Sequence, residues 1–298
     1  MKNFLEYFYN IKIDNINKHN NFYEFIYQKN KYKLYINEFI PNPTLTYNIS
    51  KSLKYNSLIS EIILNKDNNI ITTYNNNYYI LLKLSINETK KITLKEISNL
   101  ANKLYVENLN INWGLLWSNK IDYLEELINE NGKKYPIIVD SFNYFVGLAE
   151  NAISYYENVK TENNYKYVIS HKKININDTI EAIYNPFNII FDYRVRDIAE
   201  YIKISFWNNL NIYKELDNYL INNYLTINEV NLLISRLLYP SFYFNMYEDI
   251  IINKKDEKIL LNIINKTKEY ESYLNNIILY LKKYYPCEEI EWLKKNED

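Results

Sequence analysis

Glycine is almost missing from this sequence: there are three in 298 residues, and none precedes Gly114. A glycine-rich loop cradling phosphates early in the chain is thereby excluded. The single cysteine, Cys287, cannot form an internal disulfide. With His19 and His171 as the only histidines, the nitrogen and sulfur ligands of an ordinary zinc site are missing too. No segment approaches the ~18 uninterrupted apolar residues that span a bilayer. Neither sign of charge is in excess, since 35 Lys and Arg face 36 Asp and Glu for a net charge of −1. No basic block neutralises a row of phosphates, which argues against nucleic acid as a partner. The opening MKNFLEYFYNIKID interrupts its apolar residues with acids and asparagines where a secretory signal needs a continuous run, so synthesis in the cytoplasm is expected.

What the chain has instead is tyrosine, 33 of them, with heavy use of Asn, Ile and Lys. These residues share AT-rich codons, which explains the tyrosines as drift. A contact face for proteins or carbohydrate is the alternative, because aromatic side chains make good anchors. The hydrophobic share of 47% suffices to fill the core of one large domain or two lobes.

The periodicity changes along the chain. Residues 3–11 read as a short amphipathic helix, and FYEFIYQ (22–28) and KYKLYINEF (31–39) as a hairpin turning at Lys29 and Asn30. A helix follows PNPT and runs to about Asn56. Then EIILN, NIITTYN and NYYILLKLS are strand-like runs split by Asn and Asp turns. The spacing of Trp117, Ile121, Leu124 and Ile128, and of Phe145, Leu148, Ile153 and Tyr156, predicts two helices. KYVIS (166–170) and TIEAIY (179–184) read as a short strand pair, NIIFD follows, and everything beyond Asp197 reads as helical. The fold class is therefore α+β: a small antiparallel-sheet lobe over 1–88 and a mainly helical lobe over 89–298, divided near INETKK (86–91).

The stretch NPFNIIFDYRVRDIAEYIK (185–203) concentrates the chemistry. Asp197 and Glu200 in DIAE fit a capping box, with Ile198, Ile202 and Phe206 as the apolar stripe and Glu200 and Lys203 pairing on the wet side. Asp192 directly follows Ile189, Ile190 and Phe191, where an isolated carboxylate costs several kcal/mol unless paired. Its readings are a strand-end ion pair with Arg194 or Arg196, or an acid facing a metal or a phosphate.

The order of elements, with YFVGLAENAISYYEN (144–158), ISHKKI (169–174), NPFNIIFDYRVRDIAEYIK and SRLLYPSFYFNMYEDII (235–251), resembles the spore-coat kinase family of Firmicutes, of the YutH and CotS type, within the aminoglycoside-phosphotransferase-like kinases. The resemblance implies the two-lobed protein-kinase-like fold, ATP and Mg²⁺ as cofactors if the protein is active, and other spore-coat proteins as partners. Carried over, His171 matches the loop histidine, Lys173 the base, and Asp178 falls near the metal-binding Asn. Asp192 resembles the metal-binding acid and Asp197 the acid that braces the loop. Lys33 corresponds to the phosphate-pairing lysine, against its plain reading as a solvated strand residue. Lysine at 173, no early glycine, and no Glu between Thr44 and Ser57 to partner Lys33 together imply a degenerate kinase serving as a structural or binding module. The alternative is an active phosphotransferase on a small molecule or a coat protein.

Overall fold

Asparagine takes the corners that glycine usually fills. The computed structural model describes residues 1–53, 59–86, 90–107, 109–159, 166–175 and 179–294. Its left-handed backbone positions are held by Asn10, Asn37, Asn68, Asn75, Asn76 and Asn209, with Gln28, Lys29 and Lys254. The short polar side chain of Asn bonds its own backbone and tolerates this region better than other non-glycine residues.

The chain forms two compact units, one of Met1–Tyr105 and Val168–Phe191, the other of Val106–Tyr167 and Asp192–Asp298. In the first, α1 (Lys2–Tyr9) ends on the left-handed Asn10. The sheet strands are β1 (Asn17–Lys18), β2 (Phe22–Tyr27), β3 (Asn30–Ile36), β4 (Glu61–Ile63), β5 (Thr72–Tyr74) and β6 (Asn77–Lys83), with α2 (Pro43–Leu53) inserted after β3. All pairings are antiparallel, in the order β1-β2-β3-β6-β4, with β5 also against β6. The β2–β3 turn is Gln28-Lys29, one residue earlier than the sequence suggested, because both residues adopt positive φ and Tyr27 pairs with Asn30.

Strand alternation gives this sheet two apolar faces. Leu34 and Leu81 pack with Phe4, Leu5 and Phe25 of α1 and β2. Ile80 and Leu82 turn to the opposite side, with Ile40, Ile62 and Phe187. Further along come α3 (Leu94–Ala101) and a three-stranded sheet in the order β7 (Tyr105–Val106), β8 (Tyr167–His171), β9 (Ile189–Tyr193).

TIEAIY, read above as a strand, is not one. Residues Ile180–Ala182 form a 3₁₀ turn, and β8 pairs with β9 instead. Ile180, Ile183 and Tyr184 are the buried members of this segment, a spacing of three and four that suits a helical turn and not the pleat of a strand.

The second unit is helical: α4 (Trp113–Asn131), α5 (Pro136–Glu157), α6 (Arg196–Trp207), α7 (Tyr213–Asn222), α8 (Ile227–Leu238), α9 (Ser241–Asn253), α10 (Leu261–Ile264), α11 (Thr267–Lys282) and α12 (Glu291–Lys294). Local chemistry sets several starts. The Asn112 side chain accepts from Leu115 N–H at the head of α4, Pro136 opens α5, and Thr226 and Glu229 close a full capping box on α8.

Tyrosines tie these helices together. Buried hydroxyls of Tyr247 and Tyr270 donate to the carbonyls of Leu124 (2.7 Å) and Leu237 (3.2 Å). Tyr243 stacks on Phe145 with centroids 3.7 Å apart and shares a hydrogen bond with Ser141. Each such ring combines large apolar burial with a satisfied polar tip. Among the described residues, no helix is long and apolar enough to cross a membrane.

Candidate kinase-like site

In the first unit, Lys33 sits mid-strand on β3, and its ammonium pairs with Glu181 of the 3₁₀ turn while lying 4.8 Å from the centre of the Phe22 ring. The acid that holds Lys33 therefore comes from 148 positions away, and α2 supplies none. His171, at the end of β8, is 2% exposed, and its Nε2–H donates to the Ile183 carbonyl at 3.0 Å. Because a carbonyl can only accept, this bond fixes the proton on Nε2.

Two residues on, Lys173 is exposed. Its backbone is clamped by one side chain: Asn188 Oδ1 accepts from Lys173 N–H (3.1 Å) and Asn188 Nδ2 donates to its carbonyl (2.7 Å). Lys172 N–H also donates to the Asn188 carbonyl at 2.8 Å. The loop after β8 is thus held to the segment entering β9, with the Lys173 ammonium left in solvent. Asp178 lies outside the described residues.

In the second unit, Asp192 is 5% exposed. Its Oδ1 accepts from Trp113 Nε1 (2.9 Å) and from Tyr193 N–H (2.7 Å), and its Oδ2 from Arg196 NH1 (2.8 Å). Of the two arginines offered by the sequence, Arg196 makes the pair. Arg194 turns away to grip Glu229 through two bonds (2.9 and 2.6 Å) and the Tyr224 carbonyl (2.6 Å).

Asp197 is buried in the first turn of α6, and the capping box expected there does not form. The helix begins one residue earlier, at Arg196, with Val195 as its cap and no side-chain cap bond. Glu200 is consequently free to face inward. The expectation that Glu200 and Lys203 pair in water is also corrected: Lys203 is 2% exposed, and its ammonium contacts Glu200 Oε1 (2.9 Å), the carbonyls of Arg236 (3.1 Å) and Tyr239 (3.2 Å), and Ser241 Oγ (2.8 Å). Arg236 reaches the same Glu200 oxygen at 2.9 Å, and its guanidinium lies over the Trp113 ring at 4.9 Å.

Burial alone would raise the Glu200 carboxyl, but Lys203, Arg236 and Arg196 outweigh it and bring its pKa down to about 2. Burial dominates for Lys203, which is lowered to about 8 despite its carboxylate partner.

Trp113, Glu181, Asn188 and Arg236 were not among the residues marked in the sequence. Their partners lie between 15 and 148 positions away, beyond any local spacing rule. For Arg236 the signal was SRLLYPSFYF, whose Arg236, Tyr239 and Ser241 all converge on the Glu200 and Lys203 pair.

The family described as "Spore coat putative kinase YutH" matches residues 2–277. The chain belongs to this YutH family. The endospore coat-associated protein YutH of Bacillus subtilis (strain 168) is 26% identical over 185 residues, 55% of this chain and 55% of that protein, so the chain spans about half the length of this curated relative. Among solved structures, an aminoglycoside phosphotransferase from Alicyclobacillus acidocaldarius superposes with a TM-score of 0.67 at 9% identity, covering 91% of this chain and 93% of the other. An AMP-bound spectinomycin phosphotransferase gives 0.55 at 12%, covering 93% of each. At these identities the likeness establishes the fold: this YutH-family chain has the aminoglycoside-phosphotransferase-like kinase fold, α+β with an antiparallel N-terminal sheet.

Proposed function

We propose that this chain is a spore-coat kinase-fold protein that acts as a structural or protein-binding module and not as a phosphotransferase. Lys173 carries the reading. The family resemblance gives that position to the base, and an ammonium has no lone pair with which to take the substrate hydroxyl's proton. Two further features support it. Lys33 is engaged by Glu181 of a 3₁₀ turn, with no acid on α2 to partner it. His171 is spent on a backbone carbonyl inside the loop. The coat-associated name of the Bacillus relative supports placement in the coat; other coat proteins as partners and synthesis in the cytoplasm belong to the same proposal.

The decisive experiment is a thermal-shift titration of the full chain with ATP and Mg²⁺, run beside a γ-phosphate transfer assay. A ligand that binds the folded state raises Tm by mass action. The expected result is an unmoved Tm at millimolar nucleotide and no transfer. A nucleotide-dependent rise with transfer abolished by Asp192→Ala overturns the reading in favour of an active phosphotransferase. Coat placement is tested by fractionating spores of the host: recovery of the chain in the coat extract is expected, and its absence from that fraction counts against it.

A further inference from the structure

The fold's phosphotransferases imply a divalent cation at the acid that ends β9, and the donors around Asp192 do not fit one. Both of its oxygens are committed to protein donors: Oδ1 to the Trp113 indole and the Tyr193 amide, Oδ2 to the Arg196 guanidinium. Among the described residues, no group of three or more His, Cys, Asp or Glu could hold a metal ion. We infer that Arg196 is the resident cation of this carboxylate: the chain supplies from its own side chains the positive charge that Asp192 requires.

Local geometry makes this substitution natural. β9 ends at Tyr193, Arg194 and Val195 form a turn, and α6 starts at Arg196. A four-residue separation across so tight a turn folds the first side chain of the helix back onto the strand-end carboxylate, 2.8 Å away. Arg196 also lies one helical turn before Glu200, whose charge it helps to stabilise. The guanidinium therefore pairs with Asp192 and adds to the positive charge around Glu200, which Lys203 and Arg236 contact directly. A divalent ion entering here has to displace a cation that both acids favour, and it brings extra positive charge beside Lys203 and Arg236. Removing the guanidinium alone leaves Oδ2 of Asp192 buried without its charged donor, which is the condition under which a small cation gains most by binding.

The inference rests on the preceding reading only in matching Asp192 to the metal-binding acid, and its test reads stability and metal binding, not transfer. Full-length wild type, Arg196→Met and the Arg196→Met/Asp192→Asn double variant are melted with increasing Mg²⁺ or Mn²⁺. Wild type should show no change. Arg196→Met should melt lower and regain Tm as either ion is added, and the double variant should lose that recovery. If the Met variant does not fold, Arg196→Gln keeps a neutral donor and serves in its place with the same expectation. Divalent ions that leave the Tm of the folded Arg196 variant unmoved overturn the inference, as does a wild-type Tm raised by Mg²⁺ and silenced by Asp192→Asn. Phosphoryl transfer by a wild-type chain whose Tm ignores Mg²⁺ would sink the non-catalytic reading and leave this one standing.

Discussion

Glu200 and Lys203, one turn apart on α6, form an ion pair 2.9 Å long whose ammonium is almost completely buried and also closes the corner between α8 and α9. Three cations surround that one carboxylate, so its charge is the hub of the arrangement.

Glu200→Gln should therefore cost roughly 3–5 kcal/mol, because Lys203 and Arg236 are left as uncompensated buried charges. The effect has a pH signature. The folded-state pKa of Glu200, about 2, lies below its ordinary 4.5, so its contribution is complete above pH 4.5 and lost as pH falls toward 2. Urea denaturation of wild type and variant across this range should show the gap closing on the acid side. Lys203 acts at the other end: its folded pKa of about 8 lies below 10.5, so the cost of its buried charge is present below pH 8 and is relieved as pH rises to 10.5.

The buried tyrosines set an alkaline limit. Burial pushes Tyr9, Tyr155 and Tyr243 up to about 12, and Tyr247, Tyr239 and Tyr219 are raised further by the same cause. An unfolded tyrosine ionises near 10, so the folded state is favoured in full below pH 10 and loses ground as pH climbs through the interval above it. Tyrosinate absorbance should show a late phase coincident with loss of helical signal. A single smooth titration without unfolding contradicts this.

Tyr247→Phe keeps the ring and removes only the hydroxyl that satisfies the Leu124 carbonyl. The expected loss is about 1 kcal/mol, rising toward ~3 if the carbonyl finds no other donor. Chemical denaturation measures it directly, and an unchanged midpoint would mean that water takes the hydroxyl's place.

The Asn75-Asn76 turn joins β5 to β6 with both residues left-handed. Asn76→Ala should destabilise by about 1–2 kcal/mol, the cost of placing an ordinary Cβ in that region. Lys29 holds the same conformation in the β2–β3 turn, and Lys29→Asn is expected to raise Tm. A lowered Tm for Lys29→Asn would show that the lysine side chain earns its position through contacts of its own.

The parts of this molecule legible in the sequence are those governed by short-range periodicity. Tyr, Phe and Ile enrichment in FYEFIYQ and KYKLYINEF announced the hairpin, and Trp117, Ile121 and Leu124 announced α4, because one buried face imposes its period on a helix. TIEAIY misled because six residues cannot separate a period of two from a period of three. DIAE misled because a capping motif is also an ordinary first turn, and whether Glu200 reaches back or inward depends on Arg236, 36 positions later. Around the candidate residues, the need of Asp192 for an arginine was legible, since Arg196 lies four positions on. The contacts of Trp113 with Asp192, of Glu181 with Lys33 and of Asn188 with Lys173 are set by tertiary folding, which no local pattern carries.

Corners built from asparagine have a consequence for how this lineage can change. A hinge bearing a side chain is less free in the unfolded chain than a glycine hinge, so less entropy is lost when it closes. A genome whose base composition drifts toward asparagine codons can thus rewrite its bends without slackening the hairpins they join. Mutational pressure is absorbed at the positions where the backbone asks only for a small residue able to bond itself.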